Sequence, residues 1–255
     1  ANHHRGFMRE WLRYQAFYLM EYWRMKHGED MLGRVWRESK SHEDPITAYK
    51  RIAGLSQDQF NAEVWESACH DITWDYPLGG YLRRIVDRQS EADRQTWYTH
   101  KTRLIAENGY YRSYPDTVTA DHGTEQNIAF TPHDYGYNAF QLSVPEGGTT
   151  VTAEFEGITG DSRYRTVGDS KAGWRFGFVG VQGSWTPVYG DMGEATGTAP
   201  QASVSFTVPG GGLKRLWFVV SGAPTRHEPH VWDDDVSNDE EYPYRVKFVN
   251  TEVKN

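Results

Sequence analysis

Two segments, VTAEFEG (151–157) and SVSFTVP (203–209), alternate apolar and polar residues without a break. A strict period of two fits a β-strand with one face buried and the other in water, and it does not fit a helix. Val151, Ala153 and Phe155 turn to one side, as do Val204, Phe206 and Val208, while Thr and Ser take the other. Slipping either strand by one residue would put its apolar set in water, so each register is set by its own sequence. Comparable runs predict strands at Asn127–Phe130, Asn138–Val144, Thr150–Gly157, Trp174–Val181, Thr186–Tyr189, Ser203–Val208, Leu213–Val220 and Tyr244–Val249, with Gly, Pro, Asn and Asp between them. The segments GDMGEATGTAPQ and PGGG are expected as loops. About eight such strands imply two stacked antiparallel sheets, in the manner of a jelly roll.

The first ninety or so residues follow the helical period instead. Phe7–His27 contains no Gly or Pro and is followed by Gly28, which predicts one long helix, apolar on several sides and therefore central. Asp30 is placed to cap a second helix, Met31–Ser39, with Met31, Leu32, Val35 and Trp36 inward. Asp44-Pro45 opens a third that runs to Ala53, and Ser56-x-x-Gln59 is a capping box for a fourth with Phe60, Val64, Trp65 and Ala68 on one face. Pro77 and Gly79-Gly80 interrupt before a short helix around Tyr81–Arg88. The expectation is an α+β multidomain chain, with an α-helical subdomain over 1–95 and a jelly-roll-like antiparallel β-sandwich over 96–255, changing near Gln89–Thr99.

Charge supports the division. Residues 1–110 hold 16 Lys/Arg and 16 Asp/Glu, and residues 111–255 hold 11 and 19, so the net charge of −8 belongs to the β part. An acidic surface disfavours nucleic acid. No apolar run is long enough for a membrane span. No basic and apolar leader opens the chain, so any signal peptide is expected to have been removed already. Cys69 is the only cysteine, which excludes an internal disulfide, and it reads as a small buried hydrophobe. Ten Trp and sixteen Tyr suit a secreted, periplasmic or cell-surface protein that handles glycans or peptides.

The chemistry-bearing candidates fall in three places. His227-Glu228-Pro229-His230 is spaced i, i+3, and Pro229 forbids the interior helix of an H-E-x-x-H zinc motif, leaving a loop site from His227, His230 and Asp233 as the zinc alternative. The run Asp233, Asp234, Asp235, Asn238, Asp239, Glu240, Glu241 offers hard oxygen ligands, and Asp233, Asp235 and Asp239 are the calcium candidates; the alternative is a solvated acidic loop. Glu66, Asp71 and Asp75 could supply the carboxylate pair of a glycoside hydrolase, against a helix end packed by Trp74. Trp174, Trp185, Tyr189 and Trp232 are the candidates for stacking on sugars, with core packing as the alternative. His3-His4 reads as a tag remnant or frayed end. No Gly-rich phosphate loop or G-x-S-x-G elbow occurs.

Five stretches, FMREWLRYQAFYLMEYW, DPITAYKRIAGLSQDQF, ACHDITWDYP, FTPHDYGYNAFQLSVP and VVSGAPTRHEPHVWDDDVSNDEEYPYRVKF, together resemble secreted bacterial proteins related in layout to the gluzincin metallopeptidases, including enhancin-like and mucin-targeting kinds. The resemblance implies an H-E-x-x-H helix preceding this region and a glutamate third ligand on a later helix, for which Glu10 and Glu21 are the candidates here. The chain contains no H-E-x-x-H, and Arg13 stands where that glutamate is expected. The resemblance therefore implies the C-terminal, non-catalytic portion of a gluzincin-like protein acting on glycoproteins or peptides, whose zinc would need the missing N-terminal part as partner. A carbohydrate-binding or adhesive module is the second reading, and a glycosidase using Glu66, Asp71 or Asp75 the third.

Overall fold

The computed structural model of the chain describes residues 3–7, 17–90, 101–116, 129–230 and 235–254. Five helices come first: α1 (Phe17–His27), α2 (Met31–Glu38), α3 (Pro45–Ala53), α4 (Gln57–Asp71) and α5 (Gly79–Val86). Ten strands follow: β1 (Leu104–Glu107), β2 (Tyr110–Ser113), β3 (Tyr137–Leu142), β4 (Thr150–Gly157), β5 (Gly173–Gln182), β6 (Thr186–Tyr189), β7 (Gly193–Thr196), β8 (Gln201–Thr207), β9 (Arg215–Gly222) and β10 (Tyr244–Val249). The fold is α+β.

Caps set the helix starts. The Asp44 carboxylate accepts from the backbone N–H groups of Ile46 and Thr47 at 2.9 and 3.1 Å, Pro45 follows it, and Gly54 closes α3 with φ 71°. Ser56 and Gln59 form the expected capping box on α4. Asp30 does precede α2, but its side chain makes no capping bond. Phe7 lies in a turn rather than in a helix and meets Trp23 edge-on at 5.4 Å; positions 8–16 of the expected long helix lie outside the described residues. Trp36, expected inward, is 84% exposed. A two-turn helix offers the core one ridge, here Met31 and Val35, and the next residue projects about 100° away from it.

The strands alternate as the sequence requires. Val151, Ala153 and Phe155 of β4 are buried opposite Phe206, Val204 and Ala202 of β8, while Thr150–Thr207 and Thr152–Ser205 pair through hydroxyls on the outer face at 2.9 and 2.7 Å. One sheet runs β1-β2-β10-β4-β8 and the other β3-β9-β5-β6, with β7 also on β5. Between β2 and β5 every connection crosses from one sheet to the other, and so do those from β7 to β10, which is the wiring of a jelly roll. Phe155 of the first sheet stacks on Phe176 of the second at 4.0 Å, within a single core drawn from both.

Three strand expectations change. The run 127–130 supplies only a bridge from Ala129 to Thr102, residues 127–128 lying outside the described set. Strands β1 and β2 form an unexpected hairpin whose turn, Asn108-Gly109, has φ of 52° and 79°, the left-handed pair that a two-residue turn demands. Strand β7 lies inside GDMGEATGTAPQ, expected as a loop: its glycines hide the period, and pairing with β5 creates the strand.

The second sheet is covered on its outer side by α4. Along β5, Trp174, Phe176 and Phe178 face the sandwich core, while Val179 and Val181 face α4 with Ala139, Trp217 and Val219, against Trp65, Ala68, Cys69 and Ile72. The opposite side of α4, through Phe60 and Val64, closes a second core with Tyr22, Trp23, Met31, Ile46 and Tyr49. Gly177 lies under the Trp65 indole, where an added Cβ would sit 2.7 Å from the ring and 2.6 Å from the Asp191 carbonyl oxygen. Gly177→Ala is therefore expected to destabilise the protein by about 1–3 kcal/mol through overpacking, seen as a lower urea midpoint; an unchanged midpoint would contradict the packing described.

Candidate functional site

Glu63, Glu66 and His70 recur at helical spacing on α4 and form a polar row facing α1. Glu63 is held in the interior by the Tyr49 hydroxyl at 2.6 Å and His27 Nε2 at 2.8 Å. Glu66 accepts from the Tyr22 hydroxyl and from Lys26 Nζ, the latter at 2.6 Å, and remains partly open to solvent. His70 sits beyond it, edge-on to Tyr22 at 5.4 Å. After α4 the chain turns sharply, with Trp74 at φ 51°, and this brings the Asp75 carbonyl oxygen 2.7 Å from His70 Nδ1 and its carboxylate 3.6 Å from the same atom.

Strand β6 completes the seam. Tyr189 stacks on His70 at 4.9 Å and 21°, and its hydroxyl donates to Asp75 Oδ2 at 2.8 Å. Burial, then the neighbouring carboxylate, pushes the Tyr22 and Tyr189 phenols well above their usual range, so both stay protonated donors. Just before β6, Trp185 lies 5.3 Å from the Arg83 guanidinium and 5.2 Å from that of Arg215. Arg83 is fixed over the same turn by bonds to the Thr73 and Trp74 carbonyls at 2.5 and 3.0 Å. The surface thus carries aromatic faces, open carboxylates and cations side by side.

The structure brings Glu66, Asp75, Trp185 and Tyr189 to this seam and separates other candidates from it. Asp71, five residues beyond Glu66 and so about 140° round the helix, is buried between the hydroxyls of Tyr76 and Tyr137 at 2.5 and 2.8 Å. Trp174 is wholly inside the sandwich, its Nε1 donating to the Tyr242 carbonyl at 3.0 Å, so its ring is closed to a ligand. His227 lies between Asp44 Oδ1 and the Tyr135 hydroxyl, each at 3.0 Å, whereas His230 approaches Asp239 Oδ1 at 3.6 Å. Asp235 is exposed and accepts from Ser237, while Asp239 is 1% exposed beside His133. Glu21 is buried and pairs with Arg24 at 2.9 Å. Glu10, Trp232 and Asp233 lie outside the described residues. Among the described residues no group of three or more His, Cys, Asp or Glu is arranged to hold a metal ion, and no helix is long and apolar enough to cross a membrane.

A second polar cluster was not foreseen. His133 Nε2 is 3.2 Å from Asp116 Oδ2 and its Nδ1 3.6 Å from Asp239 Oδ2, with His4, Arg5 and Arg165 within 3.9 Å of Asp116. Burial alone would raise the Asp116 pKa, but its hydrogen bond with His133 and the basic side chains around it, Arg5 among them, outweigh it and hold the carboxyl well below its usual range. Burial, the largest effect on His4, lowers its pKa well below the usual value. His3-His4 is therefore no frayed end: the His3 and His4 carbonyls accept from Tyr137 and His133 at 2.7 Å each. His70 had a legible signal in its spacing from Glu63 and Glu66; Asp116 and His133, far apart in sequence, had none, and Asp239 stood out only as a calcium candidate in the acidic run.

Over residues 1–255 the chain matches the model of a family of unknown function, DUF6055. It belongs to that family. The family description gives no activity, and the match makes no link to gluzincin peptidases. No curated protein matches the chain.

Asp71 yields a pH test. Burial raises its carboxyl from 3.8 to about 7 against the lowering effect of the two tyrosine hydroxyls. The folded pKa lies above the unfolded one, so the folded state holds the proton more tightly, and stability falls as pH rises from about 4 through about 7, by a contribution on the order of 4 kcal/mol. Asp71→Asn is expected to remove that contribution, so that its urea midpoint gains on the parent's between pH 5 and pH 8. Parallel pH profiles would show that Asp71 does not titrate as described.

Proposed function

We propose that the chain is a non-catalytic glycan- or glycoprotein-binding module whose ligand lies along the seam between α4 and β6. The observation that carries this reading is Tyr189, which is 39% exposed yet held by its ring on His70 and by its hydroxyl on Asp75. A sugar offers flat C–H faces and a rim of hydroxyls, so its recognition calls for a rigid aromatic surface beside fixed polar groups. Little freedom remains in Tyr189 to be lost on binding. Asp75 and Glu66 supply acceptors for sugar hydroxyls, and Lys26 and Arg83 supply donors. Tyr189→Ala is expected to weaken binding at least tenfold on a glycan array or in titration calorimetry, consistent with the loss of an anchoring aromatic, on the order of 1.4 kcal/mol or more. Failure of the chain to bind any glycan, or equal binding by the variant, would end the reading.

The wider setting we infer is a secreted, periplasmic or surface-bound protein related to gluzincin metallopeptidases, a reading supported by the resemblance of the five stretches quoted above. The chain contains no H-E-x-x-H pair, the motif with which such enzymes hold a zinc-activated water. Isolated, it is expected to leave casein and mucin intact with or without added zinc; chelator-sensitive cleavage would overturn this.

A further inference from the structure

An exposed sheet border presents unpaired N–H and C=O groups, and three of the four borders here are guarded. That of β3 is occupied by other segments: Tyr137 donates to the His3 carbonyl at 2.7 Å, Ser143 to that of Glu252 at 2.9 Å, and Lys254 donates to the Gln141 carbonyl at 2.9 Å. Strand β6 is four residues long and carries Pro187, and β1 is four residues long and ends on Glu107. Strand β8, at the remaining border, runs for seven residues, QASVSFT, with no proline, no charged residue and no bulge in its pairing with β4. Val208 donates to the Thr149 carbonyl and Gly157 to that of Pro200, so the even-numbered residues of β8 exchange bonds with β4. The backbone groups of Gln201, Ser203, Ser205 and Thr207 therefore point away from the sheet, and among the described residues they make no backbone hydrogen bond. The side chains of these four residues are exposed.

We propose that β8 is the interface of a twofold dimer, its partner a second copy of this chain, in which the two five-stranded sheets join edge to edge. Turned about an axis through Val204, β8 meets its copy with Ser203 opposite Ser205 of the partner subunit and Gln201 opposite Thr207 of the partner subunit. Each pair joins residues whose backbone groups point outward, as an antiparallel ladder requires. On the inner face Val204 meets its own copy and Ala202 meets Phe206 of the partner subunit, covering a valine and a phenylalanine that are 8% and 7% exposed in one copy. Charge favours the same partner. The chain carries −8, but β8 carries none, and Glu154 and Glu156 on the neighbouring β4 are matched by Lys247 at 3.3 Å and Arg245 at 2.7 Å. Two acidic copies can thus approach along this border without like charges meeting, whereas a charged peptide finds no counter-charge on β8 to select it. The contact is isologous, so it uses the border on both copies and stops at two.

Light scattering on the full chain, eluted from a sizing column at a series of micromolar loading concentrations, should give a mass that rises to that of two chains and no further. The Ser203 and Ser205 amide protons should exchange at least about tenfold more slowly in the dimer than after dilution to monomer. Ser203→Lys combined with Ser205→Lys sets like charges opposite one another in this register and should weaken dimerisation at least about tenfold; Ser203→Asp combined with Ser205→Lys sets unlike charges opposite and should retain it. Should either variant fail to fold, the exchange of the two amides in the parent decides. A monomer at every concentration, growth beyond two chains, amide exchange unaffected by dilution, or equal dimerisation by the two variants overturns the inference. None of these outcomes bears on glycan binding at Tyr189.

Discussion

Trp65 reaches from α4 to the backbone of β9, its indole nitrogen 3.2 Å from the Val219 carbonyl, and its ring fills the space that Gly177 leaves open on β5. Ala68, Cys69 and Ile72 of the same helical segment join it against Val179, Val181, Trp217 and Val219 of the second sheet. This packing fixes one side of α4 on the second sheet, which leaves the other side of the same helix to organise α1, α2 and α3. Arg175 of β5 secures the start of the helix through Asp58, and Asn61 bonds to the Pro224 carbonyl at 2.9 Å. A helix fixed at several points along its length has a defined rotation about its axis. That rotation decides where Glu66 and His70 point, and so where the candidate site lies.

The buried cluster around His133 solves a different problem. The N-terminal residues, the segment ending at Asp116 and the loop before β10 meet one another here through polar groups. Glu241 accepts from the Asp116 and Arg165 backbone N–H groups at 2.7 and 2.8 Å, which satisfies donors that would otherwise be stranded. Its carboxyl is raised by burial, and Arg165 and these donors pull the other way. Removing one partner from such a network strands the others in low dielectric, so the cluster secures a unique arrangement of its loops more than it adds net stability.

What was legible in the sequence follows from the range of each interaction. Thr150–Gly157, Thr186–Tyr189 and Tyr244–Val249 match their expected bounds, and the caps at Asp44 and Ser56 do their expected work, because alternation and capping are settled within a few residues. Strand β7 and the fate of Trp36 were not legible, because each depends on a partner remote in sequence: β5 for the one, and for the other the limited ridge that α2 presents to its neighbours. The same holds for the site. Tyr189 and Asp75 were individual candidates, but only the packing of α4 on the second sheet brings them within 2.8 Å. The acidic run near the C terminus was the more conspicuous sequence feature, yet the structure turns Asp239 inward to His133 and leaves Asp235 bonded to Ser237.

The location of the seam also explains how exposed aromatic surface is kept without endangering the fold. On the sandwich interior an aromatic residue such as Trp174 is held on every side, and Gly157 is required beneath it because any Cβ would come within 2.2 Å of the ring. Such a ring contributes stability and can meet no ligand. On an open strand face a lone tyrosine would be mobile and would lose that freedom on binding. At the border between layers, Tyr189 takes its ring contact from His70 on α4 and its hydroxyl contact from Asp75 just after that helix, while its backbone belongs to β6. The helical layer thus immobilises a side chain that the sheet presents. A surface of this kind exists only where two layers meet, and only when the helix above the sheet cannot rotate, which returns the dependence to Trp65 and Gly177.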